Sequence, residues 1–446
     1  MQVRNWTQNI TFKVIGVGLL ALVMLIPLAQ VQSLVGERRG LESEARERIA
    51  ERWGRQQTVG GPVLVVPVRR QLQGEKGWIL ADEERYLLSE KLLVEGSLAT
   101  EVRQYGIYAT PIYTAALSVS GGFNRDSLEA LATNGGEPQW AQAVLRVPIA
   151  DVRGIRSMSA LTLDGVERPL GPGSGGFGGM TTTEVAWPID LDGARSAHEF
   201  SFSLRLAGTA SISVLPLARQ TDVRLSGAWP DPSYVGAFLP ESHSENRTEF
   251  RAHWQVLDLN RSYGQAGASS ALNGLVLQQS AFGVELFQPV GTYQQNERAG
   301  KYGILFIALS FVALFLFEAL GRWRVHPVQY LMVGLALSTF YVLLLALSEQ
   351  IGFAWSYALA SIALVGIVGG YAAAAARSRQ AGAILGGLLA LVYVLLYGLV
   401  ISEQYSLLMG AIALLVAIAA LMYLTRRIDW YGIGIGGAGT TGRMPS

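Results

Sequence analysis

Five apolar runs follow one another in the last third of the chain, and they constrain the fold more than any other feature. They cover residues 302–320, 327–347, 354–376, 383–401 and 406–424. Each is about 19–23 residues long, the length that an α-helix needs to cross the hydrocarbon of a bilayer. With a sixth apolar run near the start of the chain, the pattern predicts a membrane protein with six transmembrane helices.

The sixth run, residues 14–31, is preceded by Arg4 and Lys13. It is long for the apolar core of a secretory signal, and no clear Ala-x-Ala cleavage site follows it. We therefore expect an uncleaved signal-anchor helix in residues 1–32, with a cleaved signal peptide as the alternative.

Charge is concentrated between the two apolar regions. Only 15% of the residues are charged and the net charge is +1, yet most charged side chains lie between residues 33 and 301. This predicts one large water-facing part and excludes the strongly basic surface typical of nucleic-acid binding. The complete absence of cysteine excludes disulfide scaffolds, thiol nucleophiles and cysteine-based zinc sites.

The connectors between the apolar runs predict the orientation. Residues 321–326, 377–380 and 425–427 contain arginine, whereas residues 348–353 and 402–404 contain only acidic charges. Arginine and lysine in short loops mark the cytoplasmic side of a membrane protein. Both termini are therefore expected in the cytoplasm, residues 33–301 in the periplasm and residues 425–446 in a cytoplasmic tail.

A juxtamembrane helix is predicted within residues 33–60. Leu41, Ala45, Ile49 and Trp53 recur every four residues, and Gly60-Gly61-Pro62 is expected to end the helix. A stalk that carries the chain away from the bilayer is the simplest interpretation, and a partner-binding helix is the alternative.

Residues 61–301 show the period-2 alternation of β-strands, for example in residues 200–206 and 250–256. We predict a large, mainly antiparallel β-domain with one short helix near residues 125–132. Either one domain or two domains in tandem fit its length, and the glycine-rich residues 171–179 are the expected boundary in the second case.

Common catalytic and cofactor motifs are missing from the sequence. Two Gly-x-Gly-x-x-Gly matches, at residues 171–176 and 432–437, do not lie between a strand and a helix, so we interpret them as flexible glycine tracts. His243 and His253 lack further recognisable metal ligands. We predict a non-enzymatic protein without a cofactor or a metal ion.

Ionisable residues near the hydrocarbon are costly and therefore candidate functional residues. Glu318 is followed by Arg322, Arg324 and His326, so it fits either an interfacial ion pair or an acid/base pair with His326. Glu349, like Glu403, is expected in solvent at the outer end of a helix.

Two small-residue motifs lie in the apolar region, Gly366-x-x-x-Gly370 and Gly382-x-x-x-Gly386. Such spacing allows two helix backbones to approach closely. The alternative is that these glycines simply reflect the high glycine content of membrane helices.

Several stretches resemble the CreD family of inner membrane proteins, and together they cover nearly the whole chain. The stretches are residues 61–68, 106–108, 151–155, 229–240, 301–310, 317–318, 326–337, 340–349, 402–410 and 424–431. Gln404 departs from the family, in which an acidic residue is expected, and this puts in doubt any role that needs two adjacent carboxylates there.

The resemblance implies a Gram-negative inner-membrane protein associated with cell-envelope integrity and stress response, controlled by the CreBC two-component system. It implies no catalytic mechanism. Seven motif residues either form a functional cluster or simply anchor the helix ends. They are Glu318, His326, Gln329, Tyr330, Glu349, Asp429 and Trp430, and Glu403 is a further candidate.

Three functions fit these observations. The favoured one is a non-enzymatic envelope-stress protein whose β-domain contacts periplasmic or cell-wall components while the helices hold it in the lipid bilayer. The alternatives are a sensor or regulatory partner of a membrane signalling kinase and a lipid-handling enzyme that uses Glu318 and His326.

Overall fold

A computed structural model describes residues 10–74, 77–133, 136–191, 196–286, 291–321, 326–402 and 405–426. It divides into two compact units. The helical unit comprises residues 1–42 and 290–446, and the β-domain comprises residues 43–289.

Nine α-helices occur among the described residues. They are α1 (Ile10–Val23), α2 (Leu25–Trp53), α3 (Arg125–Thr133), α4 (Gly274–Gln279), α5 (Thr292–Gly321), α6 (Pro327–Ile351), α7 (Phe353–Ala375), α8 (Arg379–Ile401) and α9 (Ser406–Thr425). Helix α5 begins ten residues before the apolar run that predicts it, because a polar first segment continues into the same helix. The short helix expected near residues 125–132 is confirmed by α3.

Five helices in the described part of the chain are long and apolar enough to cross a membrane. They are Ile15–Trp53, Thr292–Phe315, Pro327–Ile351, Phe353–Ala375 and Arg379–Ile401. Within α9, the shorter segment Leu408–Ala420 is also apolar.

The first membrane helix is interrupted only at Met24, between α1 and α2. Pro27 explains the interruption, because proline has no N–H to donate to the preceding turn. Beyond this point four buried side chains recur at heptad-like spacing, Met24, Leu28, Val31 and Val35. They form a narrow apolar stripe, which is typical of a helix packed against other helices.

Helices α5 to α8 each contact the next, and α5 also contacts α8. The sharpest contact joins α7 and α8 through glycine. A Cβ atom added at Gly382 would lie 2.5 Å from the carbonyl oxygen of Gly369 and 2.5 Å from the Cβ of Ala373. Gly366 and Gly370 face open space instead. Only the Gly382 motif therefore serves helix packing, and its partner on α7 is Gly369.

An aromatic cluster fills the space between α6, α7 and α8. The ring of Phe340 lies 4.6 Å from that of Tyr393 and 5.5 Å from that of Tyr357, both edge-on. The Tyr357 hydroxyl donates to the backbone oxygen of Tyr393 at 2.6 Å. This bond pairs a buried hydroxyl where no water is expected.

The described residues of the β-domain form twenty strands. They are β1 (Gln57–Gly60), β2 (Val63–Gly74), β3 (Gly77–Leu87), β4 (Ser89–Tyr105), β5 (Tyr108–Asn124), β6 (Glu137–Pro138), β7 (Val144–Ile149), β8 (Ile155–Met158), β9 (Leu161–Leu163), β10 (Val166–Arg168), β11 (Gly171–Pro172), β12 (Thr181–Ala186), β13 (Ala197–Thr209), β14 (Ser211–Leu215), β15 (Ala218–Gly227), β16 (Pro232–Gly236), β17 (Ser242–Glu245), β18 (Phe250–Leu257), β19 (Ala266–Ala268) and β20 (Phe282–Leu286).

The strands form two sheets. The first follows the order β16-β20-β14-β1-β7-β2-β3-β19, with β6, β11 and β12 at its side. The second follows the order β10-β9-β13-β5-β4-β15-β18-β17, with β8 paired to β13. Most neighbours are antiparallel, but β1 pairs in parallel with β14, and β15 with β4. The domain is therefore a mixed β-structure.

One hydrophobic core joins the inner faces of the two sheets. The alternation in residues 200–206 and 250–256 is confirmed, since Phe200, Phe202, Phe250 and Trp254 are buried and their neighbours are more exposed. A side-chain period of two gives each strand one core face and one polar face.

The predicted end of the juxtamembrane helix is wrong. The pattern predicts a helix over residues 36–57 that stops at Gly60, but helix α2 ends at Trp53 and residues 57–60 form strand β1. Gly54 ends the helix with a φ of +134°, a backbone conformation that favours glycine.

The glycine-rich residues 171–179 do not separate two domains. They lie inside the compact unit 43–289, and residues 171–172 pair with β12. Phe177 is buried and its ring lies edge-on to that of Tyr86 at 5.6 Å. The glycines let the chain fold back as a cover over the outer face of the first sheet, where a second apolar cluster lies.

The two glycine motifs give a matched test of helix packing. We expect Gly382→Ala to destabilise the helical unit by about 1–3 kcal/mol, because its methyl group overpacks the contact with α7. Gly366→Ala is the control, since it adds the same methyl group into open space. Thermal denaturation of the protein in lipid nanodiscs measures the difference, and equal stability of the two variants would contradict the role of Gly382.

Candidate functional site

Glu318 and Tyr330 meet at one end of the α5–α6 pair. The Tyr330 hydroxyl donates to Glu318 Oε2 at 2.9 Å, and both residues are buried. The ring of Phe311 lies edge-on to that of Tyr330 at 6.1 Å. A buried carboxylate needs such a donor, since an unsolvated charge in an apolar environment is costly.

His326 and Gln329 begin helix α6. The backbone N–H of Val328 donates to His326 Nδ1 at 3.3 Å, and the N–H of His326 donates to Gln329 Oε1 at 2.9 Å. This reciprocal arrangement is a capping box that pairs N–H groups left open at a helix start. It gives His326 and Gln329 a structural role.

Glu349 lies at the opposite end of α6 and is not solvated as expected, because its side chain is only 12% exposed. The Tyr293 hydroxyl donates to Glu349 Oε1 at 3.0 Å, and Arg38 Nε lies 3.7 Å from the same atom. The neighbouring Asn296 donates to Ser348 Oγ at 2.8 Å and is itself buried. The polar first turns of α5 supply Tyr293 and Asn296, and α2 supplies Arg38. The apolar run alone gave no sign of these partners.

The candidate residues of the helical unit thus form two groups rather than one site. From Tyr330 to Glu349 the chain rises about 29 Å along α6, at 1.5 Å per residue. Each group contains a carboxylate held by a tyrosine hydroxyl. Glu403, Asp429 and Trp430 lie outside the described residues, as do Arg322 and Arg324.

A third polar group lies in the β-domain, where α2 ends; we call it the helix joint (Trp53, Gly54, Gln57, Asp151, Arg153). Trp53 Nε1 donates to the backbone oxygen of Tyr113 at 3.1 Å. The guanidinium groups of Arg156 and Arg103 lie 4.7 and 5.2 Å from the centre of the Trp53 indole. These cation–π contacts and the indole hydrogen bond fasten the last helical turn to the second sheet.

Asp151 is the electrostatic centre of the helix joint. Its carboxylate accepts hydrogen bonds from Arg153 Nε at 2.8 Å and Nη2 at 2.9 Å, and from the backbone N–H groups of Arg153 and Arg55. These donors stabilise the ionised form, so the pKa of Asp151 lies below its usual range, chiefly because of the Arg153 side chain.

Gln57 completes the joint from inside the core. Its side chain is 1% exposed and uses both ends of the amide. Nε2 donates to the backbone oxygens of Asp151 and Ala207, both at 3.1 Å, and Oε1 accepts from the N–H of Asp151 at 3.3 Å. This network connects β1 to both sheets.

Close backbone contact makes glycine necessary at the joint. A Cβ atom at Gly54 would lie 2.5 Å from the carbonyl oxygen of Ala207, and one at Gly154 would clash with the same oxygen and with Gln57. Residues 151–155 carry part of the family resemblance. Their close packing in the joint gives a physical reason for Asp151 and Gly154 in that stretch. Sequence reasoning did not identify Gln57 or Trp53 as joint residues, since their partners lie 50–150 residues away.

Several helices of membrane-spanning length together with one large folded β-domain define an integral membrane protein with a substantial domain outside the hydrocarbon. Its sequence matches the family model described as "Inner membrane protein CreD" over residues 9–431. It is also 32% identical over 418 residues to the Inner membrane protein CreD of Escherichia coli (strain K12), covering 93% of this chain and 92% of that protein. The chain therefore belongs to the CreD family.

Among solved structures, the chain matches an M1 zinc metallopeptidase from Deinococcus radiodurans, a Glu-to-Ala mutant bound to a Tyr-Ser-Ala substrate. The identity is 12%, the TM-score is 0.21, and the match covers 38% of this chain and 39% of that one. A similarity of this size carries no argument about fold or function.

Asp151→Asn tests the joint through pH. The depressed pKa means that Asp151 stabilises the β-domain above the unfolded-state pKa of about 4, and that this contribution is lost as pH falls through the folded-state value. We expect a loss of about 1–3 kcal/mol at pH 7 that shrinks at acidic pH.

Urea denaturation between pH 3 and pH 7, followed by tryptophan fluorescence, measures this loss. Asp82→Asn is the control, because among the described residues the Asp82 side chain contacts only Arg69, in an exposed ion pair. A constant difference between wild type and Asp151→Asn over this pH range would contradict the assignment.

Proposed function

We propose that this protein supports cell-envelope integrity and the response to envelope stress through its β-domain, without catalysing a reaction, under control of a CreBC two-component system. The family membership supports the setting in the inner membrane. The E. coli relative is named as a membrane protein rather than as an enzyme.

The helix joint is the observation that carries this proposal. A helix that leaves an apolar segment ends in a joint built from Trp53, Asp151 and Gln57, and these residues fix it to a domain of 247 residues. Such a joint suits a domain that must bear or transmit force at the membrane. An isolated anchor would need only a flexible linker.

The proposed topology has six transmembrane helices, with both termini in the cytoplasm and residues 33–301 in the periplasm. The arginines of the connectors support this orientation. The predicted segments 1–32, 33–60, 61–301, 302–424 and 425–446 correspond to the N-terminal anchor, the juxtamembrane helix, the periplasmic β-domain, the five-helix bundle and the cytoplasmic tail. In the structure the bounds of the β-domain differ, because residues 57–60 form strand β1 and residues 292–301 are the first part of α5. The proposed partners are the lipid bilayer, periplasmic or cell-wall components and membrane signalling proteins.

A regulatory partner of a membrane kinase is the second candidate, favoured by the same helix joint. A domain that packs against the end of a helix can pass a change in its own structure to that helix. The lipid-handling alternative has less support, because the described contacts of His326 are those of a helix cap.

The test is complementation of a strain that lacks the gene. We expect the deletion to increase uptake of a hydrophobic fluorescent dye and sensitivity to envelope-active agents under inducing conditions, and the wild-type gene to restore both. The double variant Glu318→Gln/His326→Ala should also restore them, because Glu318 serves as the hydrogen-bond partner of Tyr330 and His326 as a helix cap, and neither acts on a substrate.

Normal dye uptake and normal sensitivity in the deletion strain would contradict the proposed function. Loss of complementation by the double variant, at an unchanged protein level, would instead support the lipid-handling enzyme. A regulatory role predicts altered expression of CreBC-controlled genes in the deletion strain before any change in dye uptake.

A further inference from the structure

A groove of about 770 Å³ runs across the outer face of the second sheet. Strands β13, β5, β4, β15, β18 and β17 provide its floor, and we call it the serine groove. The opposite face of the same strands forms the hydrophobic core. The groove therefore lies on a rigid sheet rather than on loops.

The strand register places two rows of side chains across this groove. One row runs Arg205, Ala116, Ser97, Ser226, Arg251 and Ser244. The next row runs Ser203, Ser118, Glu95, Arg224, His253 and Ser242. Directly paired residues point to the same face of a sheet, so each row is a continuous strip of surface.

The first row has small residues in the middle and arginine on either side. Arg205 and Arg251 are four strands apart, which is about 19 Å at 4.8 Å per strand. Ala116, Ser97 and Ser226 lie between these two arginines, and their short side chains leave open space above the sheet. This spacing gives the groove room for several units of an extended chain, with one guanidinium group toward each side.

Arginine outnumbers acid among the residues that line the groove, with Arg205, Arg224 and Arg251 against Glu95. Glu95 is paired with Arg224 at 3.0 Å, so these two charges offset each other. Arg251 has Glu249 at 3.6 Å, with both side chains mostly exposed. Arg205 forms no ion pair with any residue that the structure describes, and its guanidinium group is available to a ligand.

The rest of the β-domain does not share this bias. Residues 43–289 contain 22 Lys and Arg and 27 Asp and Glu, so the domain as a whole repels anions. A groove with an excess of arginine on an acidic domain concentrates an anionic ligand at one place.

We propose that the serine groove binds a glycan strand that carries carboxylates. Serine hydroxyls both donate and accept hydrogen bonds, as the hydroxyls of a sugar require, and arginine binds carboxylates in a bidentate manner. Apolar side chains of these strands face the core, which disfavours a lipid chain. An extended peptide would add to a sheet edge, whereas this groove crosses the sheet face.

This inference rests on the proposed function, since it names the cell-envelope component and the surface that the β-domain uses. It also predicts that a single negative charge added in the groove should weaken glycan binding more than the same charge added elsewhere on the domain. Ala116 is the best position for such a charge, because it is exposed and directly opposite Arg205.

Isothermal titration calorimetry of the full-length protein in nanodiscs with a galacturonate hexamer tests the proposal. We expect binding that weakens at least tenfold when the carboxylates are methyl-esterified, because the arginines then lose their partners. We expect Arg205→Gln to weaken binding by roughly tenfold, the loss of one charge-assisted pair. Arg69→Gln on the first sheet is the control and should bind as wild type does.

Ala116→Glu should abolish binding while leaving the fold intact, because the new carboxylate pairs with Arg205 across the strands. Ala116→Gln adds the same bulk without the charge and should retain binding. Thermal denaturation of both variants verifies folding. Loss of binding in Ala116→Gln as well, or retained binding in Ala116→Glu, would overturn the assignment of the site.

Other ligands give distinguishable results. Absence of binding at millimolar hexamer, equal binding of the methyl ester, or tighter binding of a glutamate hexapeptide or of anionic lipid vesicles would each overturn the glycan proposal. The complementation test is independent of these outcomes. A wild-type gene that complements while the groove binds no glycan would leave the proposed function standing and remove only this ligand.

Discussion

The end of helix α2 is the contact on which the rest of the β-domain depends. At Trp53 the chain changes from a helix to a strand, and the last turn leaves backbone groups that need partners. Arg156 Nη2 donates to the Trp53 carbonyl at 2.9 Å, and just beyond the helix Asp151 accepts from the N–H of Arg55. Gln57 connects this turn to the core, and Gly54 and Gly154 allow the backbones to approach. Because β1 lies between β14 and β7, the same contact sets the pairing at the centre of the first sheet.

In the helical unit, polar groups must find hydrogen-bond partners among apolar helices. Glu318 and Glu349 lie at opposite ends of the α5–α6 pair, and each carboxylate accepts a hydrogen bond from a tyrosine hydroxyl. In the middle of the bundle, the close approach at Gly382 and the aromatic cluster around Phe340 provide packing without charge. Packing and hydrogen bonds, rather than a hydrophobic force, hold membrane helices together.

The sequence predicted local features well and distant contacts poorly. Alternation in residues 200–206 and 250–256 predicted strands correctly, because one buried face requires a period of two. The end of the juxtamembrane helix was wrong by several residues, since periodicity cannot reveal that residues 57–60 pair with residues 212–215. Glu349 was expected in solvent because its partners, Tyr293 and Arg38, lie on other helices. The serine groove could not be predicted from the sequence, since its rows combine residues from six strands.

We expect the helix joint to hold the last part of α2, residues 43–53, and the β-domain as one rigid body. The natural chain has no cysteine, so spin labels at Glu47→Cys and Glu167→Cys report a single distance by double electron–electron resonance in nanodiscs. One narrow distance distribution is expected, and it should broaden when Trp53→Ala removes the indole from the joint. A distribution that is already broad with Trp53 in place, or one that Trp53→Ala leaves unchanged, would contradict it.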